Sequence, residues 1–257
     1  TPYMIDDVYS ADDKLLSFFG RANYNYKDKY LFSATFRADA SSKFASNNRW
    51  GYFPSAAIAW RISSEPFMKN TKSWLDDLKL RLSYGTAGNN NIPVGQLSQM
   101  YELKTSSWVN NFTSFWAPSK TMANPDLKWE KTNSINLGLD MSFFDHRLEM
   151  ELSVFYKKTS DAFMNKRVSS VNGVSSYVIN GGDVTNKGVD ITLTARIFQT
   201  RDFAWTSSIN GSYIKNEVTK LTAQEPRLYG VSPSPGTVDP CTVVMEGETI
   251  GTFSGYK

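Results

Sequence analysis

NSINLGLDMSFFDHRLEMELSVFY (133–156) holds two long alternations joined by four turn-type residues. Ile135, Leu137, Leu139, Met141 and Phe143 fall on one face, opposite Asn136, Gly138, Asp140 and Ser142. After Phe144-Asp145-His146-Arg147 the pattern restarts. Leu148, Met150, Leu152, Val154 and Tyr156 then face away from Glu149, Glu151 and Ser153. Strict alternation marks strands with one apolar face, and so short a connection makes them antiparallel neighbours.

The same period runs outward in both directions. Upstream, Ala22, Tyr24 and Tyr26 oppose Arg21, Asn23 and Asn25, and Tyr30, Phe32, Ala34, Phe36 and Ala38 oppose Ser33, Thr35, Arg37 and Asp39. Ala56, Ile58, Trp60 and Ile62 form a third set, and Leu78, Leu80, Leu82 and Tyr84 a fourth. Downstream come Val189, Ile191, Leu193, Ala195 and Ile197, then Phe203, Trp205, Ile209 and Tyr213. Eight strands are legible in this way.

Two features separate a membrane barrel from a soluble sandwich. Several alternations reach about ten residues, near the ~9–11 that cross a bilayer at a tilt, whereas soluble strands average ~5–6. The connections also alternate in length. Tight turns are expected at 27–29, 144–147 and 199–202, and long polar loops at roughly 41–52, 85–128, 158–186 and from about 217 onward. That asymmetry is the arrangement of outer-membrane barrels, with the short turns in the periplasm. A longer connection on the short side, roughly 64–77, is expected to form a short helix under the wall. It begins at Glu65-Pro66 and carries Phe67, Met68, Trp74 and Leu75.

Composition sets limits on the function. Mean hydropathy of -0.40 is compatible with a barrel, because only alternate residues meet lipid. No run approaches the ~18 apolar residues of a transmembrane helix. A net charge of +3 with scattered Lys and Arg argues against a nucleic-acid partner. The single Cys241 allows neither an intrachain disulfide nor a cysteine metal cluster, and no cofactor is expected. The N-terminus lacks a signal-peptide pattern, so the chain is expected to be cytoplasmic, mature or truncated, and the strand organisation favours truncation.

Catalytic signals are weak. The one histidine, His146, is expected as a solvated turn residue; a barrel hydrolase would need a serine beside it. The acid pairs Asp6-Asp7, Asp12-Asp13 and Asp76-Asp77 read as solvated loop charge, as does Asp183 in a poor copy of a calcium loop. Asn124-Pro125-Asp126-Leu127 reads as a turn leading into the strand near Trp129. The loop ligand or partner contacts are expected among Asn89, Asn90, Trp108, Phe112, Phe115 and Trp116. Aromatics there suit stacking on sugars or meeting a surface partner; packing on the barrel rim is the plainer reading.

Several strings, in order, resemble the SusC/RagA family of TonB-dependent outer-membrane transporters of Bacteroidota. They are FFGRANYNYKDKYLFSATFRADASSKF (18–44), NRWGYFPSAAIAWRIS (48–63), DLKLRLSYGTAGNNNI (77–92), NPDLKWEKTNSINLGLDMSFFDHRLEMELSVFYKKTSD (124–161), NKGVDITLTA (186–195) and EGETIGTFSGYK (246–257). The resemblance implies an all-β antiparallel transmembrane barrel of about 22 strands around a plug. Residues 1–257 are then expected to be a partial barrel domain of about ten strands, without the plug and the final strands. It also implies a Gram-negative outer-membrane importer of oligosaccharides or peptides, surrounded by membrane lipid. A SusD-like surface lipoprotein would cap it, and the TonB complex would drive it through an N-terminal region absent here. A passive porin, and a solitary TonB-dependent transporter of a small chelate, are the alternatives; a barrel hydrolase ranks last.

Overall fold

A computed structural model describes residues 13–99, 101–106, 113–169, 171, 173–174, 176–222, 227–229 and 242–253. Its main sheet has eight antiparallel strands. They are β1 (Leu15–Tyr26), β2 (Tyr30–Ser41), β3 (Trp50–Arg61), β4 (Leu75–Asn89), β7 (Glu130–Phe143), β8 (Leu148–Arg167), β9 (Ser176–Gln199) and β10 (Ala204–Leu221). They lie side by side in chain order, and only the hairpin β5 (Tyr101–Ser106) with β6 (Thr113–Pro118) interrupts the sequence between β4 and β7. β11 (Arg227–Tyr229), β12 (Thr242–Met245) and β13 (Thr252–Phe253) form a third, small sheet. The wall therefore has the eight strands legible as alternations, with five short strands in accessory sheets.

Register turns the alternation into two faces. Tyr24, Phe32, Ile58, Leu82, Leu137, Val154, Val189 and Tyr213 form one line of directly paired residues across all eight strands. Each is exposed, from 39% at Val189 to 71% at Tyr213. The next line, on the opposite face, reads Asn25, Leu31, Ala59, Arg81, Gly138, Ser153, Asp190 and Ser212. A slip of one residue would bring the opposite face of a strand into the apolar line, with Asn at β1, Arg or Ser at β4 and Asp at β9 among the groups moved, so the pattern fixes the register. Gly138 serves the polar face directly: a Cβ there would sit 3.1 Å from the Arg81 guanidinium. Its absence lets Arg81 lie across the strand and reach Asp140 at 2.5 Å.

The apolar face is bounded by aromatics. At the short-turn end Tyr26, Tyr30 and Trp60 stack in succession, and Trp74 stacks on Phe143. Phe198 meets Phe203 and Trp205 there as well. At the other end Phe18 stacks on Trp50, and Phe36 on Tyr52. From Leu148 to Tyr156 the chain advances ~27 Å at ~3.4 Å per residue, or ~20 Å along the normal at a ~40° tilt. That is close to the ~25 Å apolar band of an outer-membrane barrel.

The tight turns at 27–28 and 144–146 use left-handed backbone at non-glycine residues. Lys27 and Asp28 both have positive φ, and the Asn25 side chain accepts from Asp28 N at 3.1 Å. Phe144, Asp145 and His146 are three consecutive non-glycine residues at φ 55–59°. Such a run costs roughly 1–2 kcal/mol per residue and needs outside support. Asp76 Oδ2 accepts from His146 N at 2.9 Å, and Arg196 Nη1 donates to His146 O at 3.0 Å.

Several boundaries differ from the sequence expectation. The segment 85–89, expected as a turn-rich loop, continues β4 and pairs with β7 as far as Asn89 with Glu130. The expected loop 158–186 is mostly a β-ribbon: β8 runs to Arg167, β9 starts at Ser176, and only 168–175 connects them. β10 likewise runs past 217 to Leu221. Polar residues mask strand alternation beyond the apolar band. The connection under the wall consists of two 3₁₀ turns, Ile62–Ser64 and Pro66–Thr71, followed by buried Leu75. Asp76 and Asp77 are not loop charge but the start of β4, where Asp77 Oδ1 accepts from Ser63 Oγ at 2.5 Å. Asp183 lies in β9 beside Lys158 at 3.5 Å. Asp6, Asp7 and Asp12 lie outside the described residues.

Candidate functional site at the long-loop end

The long loops fold against the wall through one apolar cluster. Phe44 from the 42–49 connection, Phe53 of β3, Ile92, Leu127, Trp129 and Val178 of β9 are buried together, with Phe163 of β8 against them. Phe44 and Leu127 have no exposed surface. Trp129 is the hub, its ring 5.2 Å from Phe44 and 5.4 Å, edge-on, from Phe53. Its indole Nε1 donates to Arg49 O at 3.0 Å, so the polar edge is satisfied as burial demands. Small residues make room: a methyl on Gly51 or Gly88 would overlap the Phe53 ring.

Polar clamps set the loop directions. Asn124 Oδ1 accepts from Asp126 N at 3.1 Å, and its Nδ2 donates to Val178 O at 2.8 Å. The expected turn at Asn124-Pro125-Asp126-Leu127 is present, and it also ties the loop to β9. Asn180 does the most: its Oδ1 accepts from Lys128 N at 2.9 Å, while Nδ2 donates to Lys128 O and Asp161 O, both at 2.8 Å. Lys128 Nζ lies 3.0 Å from Asp161. The result joins three regions far apart in sequence into one ledge.

Of the expected contacts, Asn89 and Asn90 are at this end but occupied. Asn89 Nδ2 donates to Glu130 Oε1 at 3.2 Å, and Asn90 Nδ2 to Ser41 Oγ at 3.1 Å, with Ser41 buried. Phe115 and Trp116 pair along β6 with Lys104 and Leu103. Trp108 and Phe112 lie outside the described residues. Sequence reading missed Phe44, Asn180 and Trp129 as organisers. For Phe44 and Trp129 the available signal was an aromatic residue in a largely polar segment; Asn180 carried none.

The polar face is laced with charge pairs. Arg81 and Lys79 both reach Asp140, Arg196 reaches Glu149, and Arg61 lies 3.6 Å from Asp77. Ser153 Oγ donates to Asn136 Oδ1 at 2.8 Å, and Ser212 to Asp190. At the short-turn end Glu65 accepts from Lys29 Nζ at 2.8 Å, Tyr30 Oη at 2.9 Å and Trp60 Nε1 at 3.3 Å. The Lys29 and Tyr30 hydrogen bonds hold its carboxyl below the ordinary glutamate range.

His146 is an exposed turn residue, as expected, but its ring has a partner. Its ring Nδ1 lies 2.6 Å from Ser142 Oγ, so a serine does stand beside it. The geometry fits a turn staple, not a nucleophile. Ser142 is only 7% exposed, and the nearby acid Asp76 is engaged by the His146 backbone N–H.

Comparison with known proteins agrees along almost the whole chain. The family described as TonB dependent receptor-like, beta-barrel matches residues 1–238. TonB-dependent receptor P3 of Formosa agariphila is 35% identical over 97% of this chain and 25% of its own length. TonB-dependent receptor SusC of Bacteroides thetaiotaomicron is 36% identical over 87% of the chain and 23% of its own. Among solved structures, the RagAB peptide importer in its closed-closed state superimposes with a TM-score of 0.78 at 30% identity, covering 93% of this chain and 25% of that one. The chain thus spans about a quarter of the length of the proteins it matches.

Proposed function

The chain belongs to the TonB-dependent receptor-like β-barrel family, and from that premise we propose that it is a wall segment of an outer-membrane nutrient importer. The observation that carries the reading is the eight-residue apolar line across the sheet, set against a polar line one residue away. An apolar surface exposed along every strand belongs against lipid, and a polar face laced with ion pairs belongs against a hydrated or protein-filled lumen. Edges left open at β1 and β10 are closed by further strands of the longer protein, since open edges do not persist in lipid.

The cargo class is oligosaccharides or peptides, uptake is energised by TonB, and a SusD-like lipoprotein covers the long-loop end. The likeness to SusC and to the RagAB peptide importer supports this, and the ledge around Trp129 gives the loops a rigid base. The relatives are receptors and importers, in keeping with a non-enzymatic protein.

Purification of the parent protein from outer membranes, with mass spectrometry of its companions, tests the reading. Plug peptides and a stoichiometric surface lipoprotein are expected, with uptake lost when TonB is inactivated. A plugged barrel without a lipoprotein would indicate a solitary transporter of a smaller chelate. Uptake independent of TonB would overturn active import.

A further inference from the structure

On the apolar face of the wall, one line closer to the long-loop end than the Val189–Tyr213 pair, Lys187 of β9 stands directly opposite Lys215 of β10. Tyr156 of β8 pairs with Lys187 in the same line. Both lysines are exposed. The line below is wholly apolar, while the line above holds Thr185 and Glu217. The lysines therefore sit where the apolar band ends, beside the exposed Tyr156 and Tyr213 rings.

Like charges directly opposite each other on neighbouring strands repel. At several other positions the wall answers a basic side chain with an acid: Lys79 and Arg81 with Asp140, Arg196 with Glu149, and Lys158 with Asp183. Lys187 and Lys215 form no ion pair among the described residues, and Glu217, on the same face, bridges to neither. Two ammonium groups on Cβ atoms ~5 Å apart, at the end of flexible stems, can converge on a single doubly charged oxyanion. At that depth the anion supplied by the surroundings is a headgroup phosphate.

We propose that Lys187 and Lys215 bind the phosphate of an outer-leaflet lipid headgroup, with Tyr156 and Tyr213 against its acyl stem. The inference rests on the membrane placement proposed above. Bound there, the lipid supplies the counter-charge that the chain itself lacks and fixes the depth of β8–β10 in the bilayer.

The test uses the full-length protein in detergent, titrated with phosphorylated lipid A, with the same lipid dephosphorylated, and with inorganic phosphate. Binding is read by native mass spectrometry. Wild type is expected to hold the phosphorylated lipid about 30-fold more tightly than K187Q/K215Q, at roughly fivefold per charge, and K187R/K215R to retain it. Equal affinity in wild type and K187Q/K215Q, or equal binding of the dephosphorylated lipid, would overturn the proposal. Inorganic phosphate binding as tightly as the lipid would also overturn it, by showing a free-anion site. A parent protein that fails to fractionate with outer membranes would instead bring down the membrane placement itself, so the two failures are distinguishable.

Discussion

Two apolar regions of this chain obey different rules. The cluster around Trp129 is buried within the chain, with Phe44 and Leu127 fully covered. The line from Tyr24 to Tyr213 is just as apolar, yet every member is exposed. The first kind joins single apolar residues of the long loops to the inner sides of β3, β8 and β9 and is satisfied by protein. The second comes from period-two strands and finds no cover within the chain. Burial within the chain thus marks what holds the loops, and exposure marks the face proposed to meet the bilayer.

The contrast is sharpest under substitution. Trp129→Ala in the full-length protein removes the hub of the buried cluster and should cost ~3–5 kcal/mol. The loss should appear as a lower urea midpoint, with membrane insertion intact. A midpoint unchanged within experimental error would mean that the loops are held elsewhere. Leu137→Arg places a charge on the exposed line and should cost ~2–4 kcal/mol if that line meets the bilayer centre. Here the expected readout is reduced assembly into membranes, while Asn136→Arg on the polar face assembles normally. Equal tolerance of both would break the assignment of faces.

The sequence made the wall legible because alternation is local: each strand declares its two faces without reference to its neighbours. Tyr24 and Tyr213 could be assigned to the same face although the strands carrying them lie at opposite edges of the sheet. Beyond the apolar band that signal fades, which is why Arg167 and Ser176 read as loop and proved to be strand ends. The loop-end site was largely illegible. Asn180 contacts Lys128 and Asp161 across wide sequence gaps, and nothing in its own surroundings announces either partner. Asn89 and Asn90 stood out by composition, yet their amides hold Glu130 and Ser41.

The strained turn offers a smaller test. Asp76→Ala removes the acceptor for His146 N while Phe144, Asp145 and His146 stay at positive φ. A cost of ~1–3 kcal/mol is expected from the lost hydrogen bond to a charged acceptor and from unsupported strain. Asp145→Gly should recover part of it, since glycine takes positive φ freely. No recovery would mean that Asp76 acts on something other than the turn.

The smallest effect expected is one of pH at Glu65. Its carboxyl is held below the ordinary range by Lys29 and Tyr30, so the folded protein binds that proton less readily than the unfolded chain. Stability from this group is therefore fully present above the ordinary glutamate value of about 4.3 and drains away as pH falls through the lower folded value. Glu65→Gln keeps an acceptor for Tyr30 and Trp60 but loses the charge opposite Lys29. The wild-type advantage over Glu65→Gln, read from urea midpoints at stepped pH, should be constant near neutrality and shrink below about pH 4.5. An advantage that grew on acidification would reverse the sign of the coupling and rule out Lys29 and Tyr30 as its source.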